Sequence, residues 1–254
     1  MKQLNVVVAC EESQEVCKAF RELGHNAYSC DIQECSGGHP EWHIRYSVDP
    51  IMLPGNPYIY FYTQDGDFHK VRCWDLIIAH PPCTYMSAAG ACRMYPRKGE
   101  LDMDRFGKAL EAKEFFMMFY NHYCRYIAIE NPKPLKCVGL PPESQRIQPY
   151  QFGEPWSKLT YLWLKGLPEL KPTEMVNEHK PYVSCGTSHN KGNPDKAGAS
   201  RAGGASKTRS KTFPGIAKAM AQQWGEFVLN EKYHEQFQNS QALDGRRVPP
   251  HPWV

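Results

Sequence analysis

Two short polar motifs each follow a run of apolar residues and carry side chains capable of covalent chemistry. The first is His80-Pro81-Pro82-Cys83, and the second is Glu130-Asn131-Pro132. A cysteine thiolate is a strong nucleophile, and two prolines stiffen the backbone that presents it. A carboxyl group at the end of a buried strand is costly to bury without a partner, which favours a role at a site. Cys83 and Glu130 are therefore the candidate catalytic residues.

Both candidates also have a plainer interpretation. A free cysteine is most often a small buried hydrophobe, and Cys83 fits that description if it faces the core. Glu130 fits a surface glutamate that braces a turn, because Asn131 and Pro132 are turn-forming residues. The two motifs favour the catalytic interpretation only if the fold brings them together.

The beginning of the chain predicts a β-α-β unit. Residues 4–10 form a β-rich apolar run, residues 13–24 carry apolar positions at helical spacing, and residues 26–30 form a second short strand. Three elements within about thirty residues are typical of a parallel crossover unit. The predicted fold class is therefore α/β, with a doubly wound, mostly parallel sheet.

Two further strands place the polar motifs. Residues 74–79 and 126–129 are predicted as buried strands, and residues 104–120 between them as a helix. Both motifs then lie at carboxyl ends of strands, where open α/β sheets bind their ligands. The aromatic segment 54–72 is predicted to be a hairpin or a long loop without an assigned function, and a last helix is predicted to begin near Pro214.

Composition predicts a soluble cytoplasmic protein. The 254 residues are 41% hydrophobic and 22% charged, with no apolar run long enough to cross a bilayer and no secretory pattern after Met1. The ten cysteines include no CxxC pair, so we interpret them as thiols and predict no metal site. We expect a single domain over residues 1–230 and a polar, frayed tail over 231–254.

One segment concentrates positive charge, although the net charge of the chain is only +3. Residues 185–211 are rich in Gly, Ser and Ala and carry six Lys and Arg residues opposed only by Asp195. We predict a mobile basic loop that contacts phosphates and orders on binding. A solvated surface loop without a partner is the alternative.

Taken in order along the chain, these motifs resemble the DNA cytosine-5 methyltransferases, especially the compact versions carried by phages and prophages. The resemblance spans roughly residues 4–229, and the Pro-Cys and Glu-Asn dipeptides are its most specific parts. The matching segments are 10–13, 29–31, 75–83, 130–132, 151–153 and 158–163.

The resemblance implies that the protein transfers a methyl group from S-adenosylmethionine to carbon 5 of cytosine in DNA. Cys83 would add to carbon 6 of the base, which makes carbon 5 electron-rich. Glu130 would hydrogen-bond or protonate ring nitrogen 3. The base must be flipped out of a duplex or presented on a single strand.

The resemblance also assigns residues to the cofactor. Asp31 matches the acid that binds the ribose hydroxyls, although a turn-forming aspartate is the alternative. The first motif of the family is usually glycine-rich, whereas residues 10–14 contain no glycine. At the third strand, Ser47 stands where an acid is expected, and Asp49 follows two residues later. The full set of predicted cofactor-binding residues is Cys10, Glu11, Ser13, Asp31 and Pro81.

The residues predicted to contact the substrate match the family motifs less closely than the cofactor residues do. Many family members hold the flipped cytosine with two arginines in a Gln-x-Arg-x-Arg motif, which this chain lacks. Lys158 and Thr160 are the candidates that replace it. The full set of predicted substrate-binding residues is Asn131, Lys158, Thr160, Lys207 and Arg209.

Two alternatives remain open. An amino-methyltransferase acting on adenine or cytosine also has a proline-rich motif at this strand end, but its motif has an aromatic residue where this chain has Cys83. A catalytically silent protein that keeps the fold and binds cofactor or nucleic acid is favoured by the glycine-poor first motif. The joint presence of Cys83 and Glu130 opposes it.

Overall fold

The computed structural model describes residues 3–53, 57–182 and 211–244. Within them lie eleven strands, most of them short. In chain order these are β1 (Asn5–Ala9), β2 (Asn26–Cys30), β3 (His43–Ile44), β4 (Ile59–Tyr62), β5 (Phe68–Val71), β6 (Leu76–Ala79), β7 (Ile127–Pro132), β8 (Gln145–Ile147), β9 (Trp156–Ser157), β10 (Thr160–Lys165) and β11 (Lys180–Pro181).

Seven strands form one mixed sheet in the order β3-β2-β1-β6-β7-β10-β8. The first five are parallel to their neighbours, and β10 is antiparallel to both β7 and β8. The chain moves outward from β1 to β3 and then returns to the other side of β1 with β6. The strand order therefore reverses between β1 and β6, as at the ligand-binding switch point of Rossmann-like sheets. The predicted α/β class with a mostly parallel sheet is confirmed.

Five α-helices accompany the sheet among the described residues. They are α1 (Glu15–Glu22), α2 (Ala91–Met94), α3 (Met103–Tyr120), α4 (Pro214–Ala219) and α5 (Gly225–Asp244). The predicted helix 104–120 corresponds to α3, which begins after Asp102 because that carboxylate accepts a hydrogen bond from the Arg105 amide at 2.9 Å. None of these helices combines the length and the apolar character needed to cross a bilayer.

The alternation of side chains along the strands builds a core on each face of the sheet. Val7 and Ile77 pack on the face covered by α3, where Phe116 is fully buried. Val8 and Ile78 pack on the opposite face, against α1 and the carboxyl-terminal helices. Helices on both faces explain why these central strands are apolar throughout rather than alternating with polar residues.

The carboxyl-terminal part of the chain differs from the prediction. A π-helical turn, Met220–Trp224, joins α4 to α5, and α5 continues to Asp244. The expectation of a frayed tail from residue 231 is therefore wrong for residues 231–244. The helix is held to the sheet by an ion pair of 2.5 Å between Lys232 Nζ and Asp75 Oδ1.

The aromatic segment before β6 contains a hairpin, as predicted. Strands β4 and β5 pair antiparallel, with Tyr60 opposite Lys70 and Tyr62 opposite Phe68 on its exposed face. The inward residue Phe61 joins the core. The hairpin lies beside β3, since the Gln64 amide donates to the His43 carbonyl at 2.7 Å.

Candidate active site

The register of the central strands brings the two polar motifs side by side. Ala79 on β6 pairs with Ile129 on β7, so the next residue on each strand is His80 and Glu130. Their side chains meet, with His80 Nδ1 at 3.2 Å from Glu130 Oε2. The predicted strand 126–129 is longer in the structure, because β7 continues through Pro132 by pairing with the antiparallel strand β10. Glu130 lies inside a strand but beyond the parallel part of the sheet.

Hydrogen bonds join the loop that follows β6 to the end of β7 and the residue after it. The Asn131 side-chain amide donates a hydrogen bond to the Pro81 carbonyl at 2.8 Å, and the Ala88 amide donates to the Lys133 carbonyl at 2.8 Å. Asn131 is only 1% exposed. The structure therefore places Asn131 and Pro81, predicted as substrate and cofactor contacts, in the support of the loop that carries Cys83.

Cys83 is half-buried, at the start of a turn in which its carbonyl accepts hydrogen bonds from Met86 and Ser87. Burial raises the pKa of the Cys83 thiol, and the negative charge of Glu130 raises it further, while the positive charge of Lys158 lowers it. These influences place Cys83 in the same electrostatic neighbourhood as Glu130. They also mean that the thiol is protonated at rest, so a reaction that uses it must remove that proton.

His80 and Glu130 form a hydrogen-bonded pair. Burial alone would raise the pKa of Glu130, but the hydrogen bond and charge of His80, together with Lys158, lower it below its usual value. Burial alone would lower the pKa of His80, but Glu130 and then Glu11 raise it above its usual value. Each partner therefore favours the charged form of the other.

Glu130 lines a small cavity with two of the predicted substrate residues. Lys158 and Thr160 approach it from the segment entering β10, and the remaining lining residues are Lys211, Thr212, Phe213 and Ile216. The cavity measures about 10 Å³, which is the space of one water molecule. This space is smaller than a pyrimidine ring. Lys207 and Arg209, also predicted to contact substrate, lie outside the described residues.

The loop between β1 and α1 adopts a backbone that normally favours glycine. Cys10 and Gln14 both have φ of 60°, in the left-handed region. Gln14 is fully buried and bonds the next loop, since its Oε1 accepts from the His39 amide at 3.0 Å. The absence of glycine therefore does not prevent the turn expected of a first nucleotide-binding motif.

Two predicted cofactor residues in this loop are buried. Glu11 accepts hydrogen bonds from the amides of Val16 at 2.7 Å and Cys17 at 3.2 Å, so its carboxylate occupies the amino terminus of α1. Burial raises the pKa of Glu11 to about 7, although the charge of His80 and these two bonds oppose the rise. Ser13 is 4% exposed. Neither side chain faces open solvent in this conformation.

Two acids flank Cys10 at the end of β2. Asp31 follows the strand directly, is half-buried, and accepts a hydrogen bond from the Gln33 amide at 2.9 Å. Burial raises the pKa of Cys10 to about 12, with further contributions from Asp31 and Asp49. Asp49 therefore lies close enough to the predicted cofactor loop for its charge to affect Cys10.

His80 and Gln14 were not predicted as site residues. The signal for His80 was present in the sequence: it is the first polar residue after β6, just as Glu130 is the first after the parallel part of β7. Gln14 had no such signal, because its contacts come from a loop twenty-five residues away. Among the described residues, no group of three or more His, Cys, Asp or Glu side chains is arranged to hold a metal ion.

A larger cleft lies away from this edge. It measures about 460 Å³ and is lined by residues that include Arg21, Gly24, Asn26 and Trp42. Gly24 and Asn26 stand at the amino end of β2, opposite the carboxyl ends that carry Cys83 and Glu130. Neither cysteine nor serine is among its lining residues, so we identify the candidate site by its converging polar motifs rather than by cavity size.

No protein-family model matches the chain, and a comparison with curated proteins gives no match.

Proposed function

We propose that this protein is an S-adenosylmethionine-dependent methyltransferase that acts on carbon 5 of cytosine in DNA. The single observation that supports it most is that Cys83 and Glu130 both lie on segments at the carboxyl edge of the sheet, after the paired ends of β6 and β7, and that the bond from Asn131 to the Pro81 carbonyl joins these segments. A nucleophile and a carboxyl group on opposite sides of a pyrimidine are what the reaction requires. The Rossmann-like strand order supplies the scaffold.

In this proposal, residues around the β1–α1 loop would hold the cofactor. Asp31 would accept hydrogen bonds from the ribose hydroxyls, and Asp49 adds a second negative charge near Cys10. The left-handed turns at Cys10 and Gln14 shape the loop that lies between β1 and α1. S-adenosylmethionine, when bound, supplies the activated methyl group, and its positive charge suits a loop flanked by two acids.

The protein side of the reaction is carried by three side chains. The Cys83 thiol would give its proton to water, and the thiolate would bond to carbon 6 of the cytosine while the ring electrons shift toward nitrogen 3. Glu130 in its protonated form would donate its proton to nitrogen 3 and so offset the negative charge that develops there. Once carbon 5 carries the methyl group, water would take the proton from that carbon, the thiolate would leave carbon 6, and nitrogen 3 would return its proton to Glu130. Lys158 favours the thiolate, because its positive charge lowers the pKa of Cys83.

A second candidate function is a catalytically silent protein that binds cofactor or nucleic acid. Two observations favour it: the raised pKa of Cys83, and the cavity of about 10 Å³ beside Glu130. If the protein is an enzyme, the Cys83 thiol must lose its proton and the cavity beside Glu130 must widen when substrate binds. A catalytically silent protein requires neither change.

Transfer of a labelled methyl group to mixed-sequence DNA separates the two candidates. We expect the wild-type protein to label DNA and the C83A variant to lose that activity while it retains cofactor affinity. C73A is the matched control, because Cys73 is exposed and precedes β6 at the opposite edge of the sheet. Residual activity in C83A would remove the cysteine from the mechanism, and an inactive wild-type protein that binds cofactor would support the silent alternative.

A further inference from the structure

We propose that an exposed aromatic face of the β4–β5 hairpin binds single-stranded DNA through its unpaired bases. The aromatic face consists of Tyr58, Tyr60, Tyr62, Phe68 and Lys70, and the sequence assigned no function to the segment that contains it. The binding itself is independent of catalysis. Its use in presenting cytosine to the candidate active site rests on the proposed function.

The aromatic face is exposed, whereas the opposite face of the hairpin is buried. The four aromatic side chains on it are between 39% and 60% exposed. Side chains alternate along the two strands, so Ile59, Phe61 and Val71 point inward and pack in the core. Single exposed aromatic residues are ordinary on a protein surface, but four that share one face form a patch typical of a binding site.

Neighbouring rings on the aromatic face lie close to one another. The ring planes of Tyr60 and Phe68 are within 13° of parallel, with centroids 6.0 Å apart, and the Tyr62 centroid lies 5.2 Å from that of Phe68. Every DNA base has a flat π face, and stacking on an aromatic side chain requires no particular base. In a duplex the bases are already stacked on one another, so such rings favour unpaired bases.

The charge of the aromatic face is complementary to a nucleic acid. Lys70 Nζ lies 3.9 Å from the centroid of the Tyr58 ring, and the exposed Arg72 continues the alternation of β5 two residues later. The acids of the hairpin, Asp65 and Asp67, lie in the connection between the two strands. Cations among ring faces suit a nucleotide, because the phosphate contacts the cation while the base stacks on a ring.

The connection between β4 and β5 lies beside a loop at the carboxyl edge of the sheet. The Gln64 amide donates to the His43 carbonyl at 2.7 Å, and Gln64 Oε1 accepts from the Cys35 amide at 3.0 Å. Cys35 belongs to the loop that leaves the carboxyl end of β2 at Asp31. Hydrogen bonds therefore hold the hairpin to the edge of the sheet that carries the candidate active site.

Binding is tested with the intact protein, without S-adenosylmethionine, by fluorescence anisotropy of a labelled single-stranded oligodeoxynucleotide and of its duplex. Y62A and F68A should each weaken single-strand binding at least about fivefold and duplex binding less, because each variant removes one stacking surface. Y123A is the matched control, since Tyr123 is exposed but precedes β7 at the opposite edge of the sheet. Affinities that are unchanged in Y62A and F68A, or reduced equally for both forms of DNA, would overturn the proposal.

The contribution of Lys70 is measured by the salt dependence of single-strand binding, which leaves the rings unaltered. K70M keeps a long side chain without its charge, and the loss of one phosphate contact should lower the slope of log affinity against log salt concentration by about 0.7. K171M is the control, because Lys171 is exposed and its hydrogen bonds to Gln223 use only its backbone. A slope in K70M equal to that of wild type would overturn the phosphate contact.

A second copy of the chain is the alternative occupant of the aromatic face, and sedimentation velocity without DNA distinguishes the two. Equal masses for wild type and Y62A support the proposal, whereas a dimer that Y62A dissociates, with unchanged DNA affinity, would overturn it. If single-strand binding depends on the aromatic face but wild type methylates no DNA, the proposed function fails while the binding surface stands. If wild type forms 5-methyldeoxycytidine and the KM for DNA is the same in Y62A and F68A, the binding surface fails while the proposed function stands.

Discussion

Asn131 provides the sharpest test of how the two motifs are joined. Its side-chain amide donates to the Pro81 carbonyl at 2.8 Å, and the residue is 1% exposed. N131A removes the donor and leaves the Pro81 carbonyl buried without this partner. N131D keeps the volume but presents an oxygen to that carbonyl instead of an amide.

The expected cost follows from burial. Removing one partner of a buried hydrogen bond costs about 1–3 kcal/mol of unfolding free energy. In a chain of about this size each 1 kcal/mol changes the melting temperature by roughly 2–4 °C, so N131A should melt about 2–12 °C below wild type. N131D should melt lower still, because a buried carboxylate facing a carbonyl adds a desolvation cost and repulsion.

These differences in melting temperature are measured at a single pH by thermal unfolding, with circular dichroism as the signal. The matched control is N5A, which removes an exposed bond of 3.3 Å from the Asn5 side-chain amide to the Cys73 carbonyl and a long bond of 3.5 Å from the Asn26 side-chain amide to Asn5 Oδ1. This variant should change the free energy of unfolding by about 0.5 kcal/mol or less. Methyl transfer should decrease in N131A more than in N5A, since the Cys83 loop loses its support. If N131A and N5A have the same melting temperature, the bond from Asn131 to the Pro81 carbonyl does not stabilise the contact between the two motifs.

Three further predictions concern charge. Glu11 ionises near its ordinary pKa of 4.5 when unfolded but near 7 when folded, so the folded state holds an extra proton between these values and loses stability as pH rises through them. Melting temperatures from pH 4.5 to 8 should therefore decrease less in E11Q than in wild type, and parallel curves would contradict this. D31N should weaken S-adenosylmethionine affinity about tenfold or more by isothermal titration calorimetry, because a charged hydrogen bond to the ribose is lost; equal affinity would exclude Asp31 from the cofactor site. Replacing the Lys and Arg residues between positions 191 and 211 by Ser should flatten the salt dependence of DNA binding, and an unchanged slope would mean that the segment contacts no phosphates.

The sequence predicted the elements that depend on local patterns. The apolar runs ending at Ala79 and Ile129 became β6 and β7, and Asn26–Cys30 formed a strand with the predicted bounds. The helix α3 was predicted within one residue at its start and with the right end. These elements are buried on both faces or clearly amphipathic, so composition and periodicity alone identify them.

What depends on contacts between distant segments was not predicted. The continuation of β7 through Pro132 requires β10, and the helix beyond Asn230 is held by an ion pair between Lys232 and Asp75, 157 residues apart. Asn131, part of the Glu-Asn-Pro motif, was predicted to contact substrate, and its bond to Pro81 was not foreseen. Adjacent strand residues face opposite sides, so Asn131 and Glu130 point in different directions. The same alternation brings His80 and Glu130 together.

The central claim is tested most directly by mass spectrometry of nucleosides from DNA incubated with the protein and S-adenosylmethionine. The account predicts 5-methyldeoxycytidine with wild-type protein and none with C83A. Methyl groups on an exocyclic nitrogen of cytosine or adenine, or 5-methyldeoxycytidine produced equally by C83A, would contradict it.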